Sequence, residues 1–155
     1  MRPDVYLVYF GIRVTNLKRS LKFYTRYFGL KIVSERDGTK YGVGKFVLLR
    51  DKKSGMKLEL NWYPKSSKYS SPYSPGEGLD HIAFVVRNLA KFMKKLKADG
   101  VEIVHPSHSI AQTLPSGIIV DSDGGGIAYI KDPDGNWIEL YEHAGEKSEK
   151  VKEAY

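Results

Sequence analysis

The sequence predicts an α+β protein built from two tandem βαβββ modules. Three observations predict it: a ten-residue internal repeat, a helical apolar stripe directly after each copy, and a glycine stop followed by short strands. Val8-Tyr9-Phe10-Gly11-Ile12-Arg13-Val14-Thr15-Asn16-Leu17 lies over Asp80-His81-Ile82-Ala83-Phe84-Val85-Val86-Arg87-Asn88-Leu89, with Tyr9 over His81 and Leu17 over Leu89 at a constant offset of 72. Each copy is an apolar strand running into an Asn-Leu pair. The first of these strands is expected to begin as early as Val5.

Leu17, Leu21, Tyr24 and Phe28 in the first copy, and Leu89, Phe92, Met93 and Leu96 in the second, recur at the spacing of an amphipathic helix. Asn16 and Asn88 are suited to cap these helices, because their side-chain oxygens can accept an orphan backbone N–H. Gly29 and Gly100 supply the left-handed residue that ends each helix. Short strands follow at Leu30-Lys31-Ile32-Val33 and Val101-Glu102-Ile103-Val104. The last strands also repeat: Lys57-Leu58-Glu59-Leu60 matches Trp137-Ile138-Glu139-Leu140, and the turns before them, Asp51 to Gly55 and Asp132 to Gly135, both close on glycine. The expected organisation is a first module over residues 1–63, a linker or flap over 64–78, a second module over 79–143 and a charged tail over 144–155, together one domain. A second irregular stretch runs from Pro106 to Gly126.

Composition narrows the function classes. With 41% hydrophobic and 28% charged residues, the chain has the apolar content to fill a core, which argues against global disorder. It has no cysteine, so disulfides, thiolate metal sites and cysteine nucleophiles are excluded and any metal must bind through His or oxygen. No apolar run reaches the roughly 18 residues of a membrane span. The N-terminus lacks the pattern of a secretory leader, and a cytoplasmic protein is expected. The net charge of +7 would attract anions, but the basic residues are scattered over helix faces such as Lys18, Arg19, Lys22 and Arg26, without a recognition motif. Nucleic acid is therefore not an expected partner.

The repeat places Tyr9 with His81 on the first strands and Glu59 with Glu139 on the last. Strand alternation puts His81, Ala83 and Val85 on one face and Ile82, Phe84 and Val86 on the other, with Tyr9, Gly11 and Arg13 on the His81 side of the first copy. The polar face then carries His, Glu, Glu, Tyr and Arg beside the small residues Gly11 and Ala83, which are expected to leave room for a ligand. Glu59 or Glu139 alone, flanked by apolar residues, reads as the solvent-facing position of a half-buried strand. Together, one imidazole and two carboxylates suit a divalent cation such as Zn, Ni, Co, Fe or Mn.

At these residues the sequence resembles the vicinal oxygen chelate superfamily. The pieces that carry the resemblance are Ile12-Arg13-Val14, Leu17 through Tyr24 with Phe28-Gly29-Leu30, Leu58-Glu59-Leu60, Asp80-His81-Ile82-Ala83, and Asp132-Pro133-Asp134-Gly135-Asn136-Trp137-Ile138-Glu139-Leu140. The fold it implies is a pair of βαβββ modules whose mixed sheets form a cup. Among members the pattern is most similar to glyoxalase I, whose four ligand positions match Glu59, His81 and Glu139, with Tyr9 at the first. Tyr9 departs from that pattern, because a phenol with a pKa near 10 is a poor ligand at neutral pH.

The resemblance implies a metal-dependent lyase or isomerase that converts a thiol hemithioacetal of a 2-oxoaldehyde to a 2-hydroxyacyl thioester through an enediolate. It makes Glu139 the base, gives Glu59 a ligand role and an action on the opposite face of the substrate, and makes Arg13 the anchor for an anionic group. Tyr63 stands where the family has an asparagine for glutathione, which leaves the thiol open. A metal-free small-molecule binding or resistance protein and a CoA-thioester epimerase are the alternatives, and a homodimer is the implied assembly.

Overall fold

The computed structural model describes residues 7–41, 43–70, 79–105, 114–120 and 125–142. The expected strand start at Val5, linker residues 71–78, the stretches 106–113 and 121–124, and the tail lie outside them. The chain falls into two compact units, Met1–Ser74 and Pro75–Tyr155.

In the first unit, β1 (Phe10–Arg13), α1 (Leu17–Phe28), β2 (Lys31–Asp37), β3 (Lys45–Arg50) and β4 (Lys57–Trp62) form a sheet in the order β1-β4-β3-β2. β1 and β4 run parallel, a pairing that needs a crossover, which α1 with β2 and β3 supplies. Alternation then decides the faces. Ile12, Val47, Leu49, Leu58 and Leu60 are buried, as are Ser20, Phe23 and Tyr24 of α1, which packs on β4. Burying each large apolar side chain contributes about 1.5–3 kcal/mol. The Asn16 side chain accepts from Arg19 N at 3.1 Å, and Gly29 closes the helix at φ 67°. β1 is shorter than expected: Leu7 to Tyr9 are described but not in a strand.

The second unit contains β5 (His81–Val85), α2 (Leu89–Ala98), β6 (Ile103–Val104), β7 (Ile119–Val120), β8 (Gly126–Lys131) and β9 (Trp137–Glu142). β5 is parallel to β9, and the order β5-β9-β8-β6 repeats that of the first sheet. Leu89, Met93 and Leu96 of α2 are buried, as are Ala128, Ile130, Ile138 and Leu140 of the sheet on which it packs. Asn88 caps α2 through Lys91 N at 3.0 Å, and the left-handed residue is Gly100, one position past the Asp99 cap. The Glu142 carboxylate also accepts Leu89 N at 3.2 Å, placing a negative charge at the start of α2.

One element was not expected. The strand predicted over Val101–Val104 keeps only Ile103–Val104, and the same edge of β8 is completed by β7, from within the stretch read as irregular. β6 and β7 run in one direction, opposite 129–130 and 126–127 of β8, so they divide between them the edge that β2 covers continuously in the first unit. Pro106, which directly follows His105, has no N–H to offer a ladder, and among the described residues the edge is taken up again by Ile119 and Val120.

The turns before the last strands share a construction. Asp51 Oδ2 accepts Ser54 N at 2.8 Å, while Asp132 Oδ1 accepts Asp134 N at 2.8 Å and Asn136 N at 2.9 Å. Asp132 and Asn136 are buried but satisfied, since Asn136 Nδ2 donates to Asp132 Oδ2 at 2.9 Å. These turns fix where β4 and β9 begin, and hence which face each following glutamate takes.

Candidate functional site

The second unit gathers a histidine, a glutamate and a tyrosine on the face of its sheet opposite α2. Register places Ala83 and Tyr129 on either side of Glu139, and His81 beside Trp137. His81 Nε2 lies 3.5 Å from Glu139 Oε2, and His81 Nδ1 lies 2.9 Å from Asp80 Oδ1. An ionised carboxylate only accepts, so in the neutral ring Nδ1 donates to Asp80 and Nε2 is left with its lone pair toward Glu139. Two acceptors at this distance are what a divalent cation, or a shared proton, brings together. Ligand bonds of about 2.1 Å at a tetrahedral angle span about 3.4 Å between donor atoms, so the observed separation fits two adjacent positions around one ion. Asp80 would orient the imidazole as carboxylates do behind metal-bound histidines.

Tyr129 Oη donates to the same Glu139 Oε2 at 2.7 Å. Burial pushes the Tyr129 phenol up to about 12, helped by its hydrogen bond to Glu139 and by the charges of Glu139 and Asp80. Its ring is flanked by Trp137 at 5.9 Å and meets His81 edge-on at 6.2 Å. The hydroxyl therefore stays protonated and holds one oxygen of Glu139 in place.

In the first unit, Glu59 sits mid-strand in β4, opposite Gly11 on one side and Leu48 on the other, and is 7% exposed. Its Oε2 accepts Arg36 Nη2 at 2.8 Å. The Arg36 guanidinium lies 5.5 Å from the centre of the Phe46 ring, and its pKa is raised by the hydrogen bond and charge of Glu59, with a smaller contribution from Tyr9. Tyr9, just before β1 and 39% exposed, thus faces the Arg36–Glu59 pair. Arg13 Nη1 donates to the Tyr69 carbonyl at 3.0 Å, which ties residues at the start of the expected linker to this sheet.

Gly11 does not leave the room expected of it. A Cβ at that position would meet Asn61 Nδ2 at 2.5 Å, so the amide of Asn61 occupies the space. Asn61 Oδ1 is buried without a hydrogen-bond partner among the described residues. Among those residues, no three His, Cys, Asp or Glu side chains stand close enough to hold one metal ion. The sequence-predicted residues are thus placed as His81 with Glu139 in one unit, and Glu59 and Arg13 on the sheet of the other, with Tyr9 just before its first strand and Arg36 paired with Glu59.

Sequence reasoning missed Arg36, Tyr129 and Asp80. Arg36 was hidden by a bulge: Ile32 pairs with Leu49 on the core face, the register shifts between Ile32 and Ser34, and Ser34 and Arg36 then pair with Leu48 and Phe46 on the Glu59 face. Unbroken alternation from Ile32 would have turned Arg36 toward the core. Tyr129 was legible from its alternation with the apolar Ala128 and Ile130.

The family described as the glyoxalase/bleomycin resistance protein/dioxygenase superfamily matches residues 6–140. The chain is 31% identical to a lactoylglutathione lyase of Escherichia coli O157:H7, over 88% of this chain and 91% of that protein. It spans less than half the length, 44% and 48%, of the plant and yeast relatives it matches. Among solved structures, the trypanothione-dependent glyoxalase I of Leishmania major superposes with a TM-score of 0.64 at 26% identity, covering 89% of this chain and 87% of that one. The fosfomycin resistance protein FosX of Listeria monocytogenes, complexed with Mn(II) and sulfate, shares the fold with a TM-score of 0.60 at 18% identity, covering 89% and 92%.

Proposed function

Because the chain belongs to the glyoxalase/bleomycin resistance protein/dioxygenase superfamily, we propose that it is a metal-dependent lyase of the glyoxalase I type, acting on a thiol hemithioacetal of a 2-oxoaldehyde through an enediolate. The observation that carries this reading is the approach of His81 Nε2 to Glu139 Oε2, with Asp80 behind the imidazole. Of the three residues to which the resemblance assigns ligand roles, Glu59, His81 and Glu139, the last two would hold a divalent ion within the second unit. A bound ion would supply Lewis-acid polarisation of the vicinal oxygens.

The chain's own residues account for the proton. Glu139 takes it from the carbon beside the carbonyl and returns it to the neighbouring carbon, as a carboxylate within reach of both can. Tyr129, donating to Oε2, leaves Oε1 as the oxygen that moves the proton and fixes the carboxyl plane. Arg13 anchors an anionic group of the substrate, exchanging the Tyr69 carbonyl for a carboxylate, a stronger charge-assisted partner.

The test is elemental analysis of protein purified without chelators, followed by titration of the stripped protein with Ni, Zn, Co and Mn and turnover assays with thiol and 2-oxoaldehyde pairs. Near-stoichiometric metal that is lost in His81→Ala, with turnover lost in Glu139→Gln at unchanged fold, is the expected result. The Arg36 cation already on Glu59 favours a second reading, a metal-free binding protein of the same fold. Absence of metal uptake by every variant would establish that reading over the first.

A further inference from the structure

Arg13 is engaged by the chain itself. Its Nη1 donates at 3.0 Å to the carbonyl of Tyr69, in the short helical turn Lys68–Ser70 that follows β4. We propose that residues 64–70 form a displaceable strap, whose Tyr69 carbonyl holds the anion position of Arg13 until a carboxylate or phosphate group takes it. The proposal rests on the reading of Arg13 as an anion anchor, and every residue in it belongs to the first unit. Three observations support it.

First, the strap is held together by its own hydrogen bonds. Ser67 N donates to the Pro64 carbonyl at 2.8 Å and Ser70 N to the Ser67 carbonyl at 3.0 Å. Ser70 Oγ donates to the Lys65 and Ser67 carbonyls at 3.0 and 2.8 Å, and Ser67 Oγ accepts Tyr69 N at 3.2 Å. The strap can therefore leave the sheet as a body without giving up these bonds.

Second, its tethers to the sheet are replaceable. The Tyr69 carbonyl is a neutral acceptor, and an anionic one on the same guanidinium makes a hydrogen bond roughly twice as strong. The Tyr69 ring lies 5.4 Å from that of Tyr63, which meets Phe46 edge-on at 5.7 Å, and Tyr69 is still 53% exposed. A ring pair left half in water is a modest tether.

Third, the row of side chains beside Arg13 is under-satisfied while Tyr69 is in place. Register sets Arg13 beside Asn61 and Asn61 beside Phe46, and Asn61 Oδ1 is buried with no hydrogen-bond partner among the described residues. A buried acceptor without a donor is costly, and a water or ligand N–H arriving with the anion would remove that cost.

The consequence is a competition. Anion affinity at Arg13 is its intrinsic value reduced by the fraction of molecules in which the strap is released, so weakly charged ligands are selected against.

The chain has no cysteine, so a trifluoromethyl tag on Ser66→Cys, at an exposed strap position, is read alone by fluorine NMR of the full chain. Inorganic phosphate is the probe, added at an ionic strength held with sodium chloride. Arg13→Gln in the tagged chain marks the released position without phosphate, and Arg13→Met replaces it if it does not fold. Phosphate is expected to move the tag signal of the chain with Arg13 to that position and to leave the signal of Arg13→Gln unmoved. In calorimetric titration, Tyr69→Ala is expected to bind phosphate at the Arg13-dependent site about two- to tenfold more tightly, the factor that the lost ring pair contributes to closure.

A tag signal already at the released position before phosphate is added, or one that phosphate moves away from it or leaves unmoved while Arg13-dependent binding proceeds, would overturn the proposal. So would unchanged or weaker binding in Tyr69→Ala, the latter showing that Tyr69 closes over the anion. The anchor reading fails separately, if Arg13→Gln binds phosphate as tightly as the wild type, and both fail if no variant binds it.

Discussion

Replacing Tyr129 by Phe removes one oxygen, the donor to Glu139 Oε2 at 2.7 Å, and leaves the flanking Trp137 and His81 contacts of the ring in place. Raising the phenol from 10.0 to about 12 corresponds to about 2.7 kcal/mol between its two protonation states, at 1.36 kcal/mol per pH unit. Burial is the largest single cause of that rise, and the hydroxyl–carboxylate contact accounts for about 1–2 kcal/mol of folding free energy, because the roughly 1.5–3 kcal/mol of a hydrogen bond to a charged group is reduced by solvent screening at a part-buried site. Tyr129→Phe is therefore expected to unfold about 1–2 kcal/mol more readily at neutral pH, a loss of about 2–4 °C in thermal midpoint per kcal/mol.

The pH dependence gives the sharper check. A folded-state pKa raised above its unfolded value of 10.0 means that the protonated phenol stabilises the fold fully below about pH 10, and that this is lost as pH rises through about 12. The margin of the wild type over Tyr129→Phe in denaturant unfolding should be level up to about pH 10 and shrink above it. The chain has 11 tyrosines, so tyrosinate absorbance of the wild type minus that of the variant isolates the single midpoint near 12. A margin that stays level through the alkaline range, or a variant as stable as the wild type at neutral pH, would refute the reasoning.

Two further outcomes are expected. Ile138 is fully buried in β9, one residue from Glu139, and Ile138→Ala should cost about 2–5 kcal/mol in denaturant unfolding, with the cavity term setting the value. Asp37 is held to about 2 by hydrogen bonds from the Thr39 side chain and backbone and by Lys45; its folded pKa lies below its unfolded value of 3.8, so its stabilisation is present above that value and lost as pH falls toward 2. Asp37→Asn should thus be less stable than the wild type near neutral pH and converge with it on acid titration.

Much of this protein was legible before any coordinate. The 72-residue offset, the asparagine caps and the closing glycines each encode local geometry, and both helices and the first and last strands of each module follow from them. Glu59, His81 and Glu139 could be singled out because an internal repeat is a comparison carried within one chain: positions that coincide in two copies share a place in the fold. Alternation alone then assigned His81 and Glu139 to the face away from the helices, which is where the register puts them.

What partners these residues meet was decided only by tertiary structure. A bulge is a one-residue irregularity in pairing, set by how β2 meets β3, and it reverses which face Arg36 occupies without leaving a mark in the alternation of residue types. The Asn61 amide above Gly11 and the Tyr129 hydroxyl on Glu139 are likewise contacts across neighbouring strands, between residues distant or unremarkable in sequence. The sequence determined the modules and the carboxylates, because local geometry and repetition are written along the chain. Tertiary structure decided that one carboxylate faces a guanidinium and the other a phenol, because strand register is fixed by how whole strands pair, and charge balance by which side chains that pairing brings within hydrogen-bond distance.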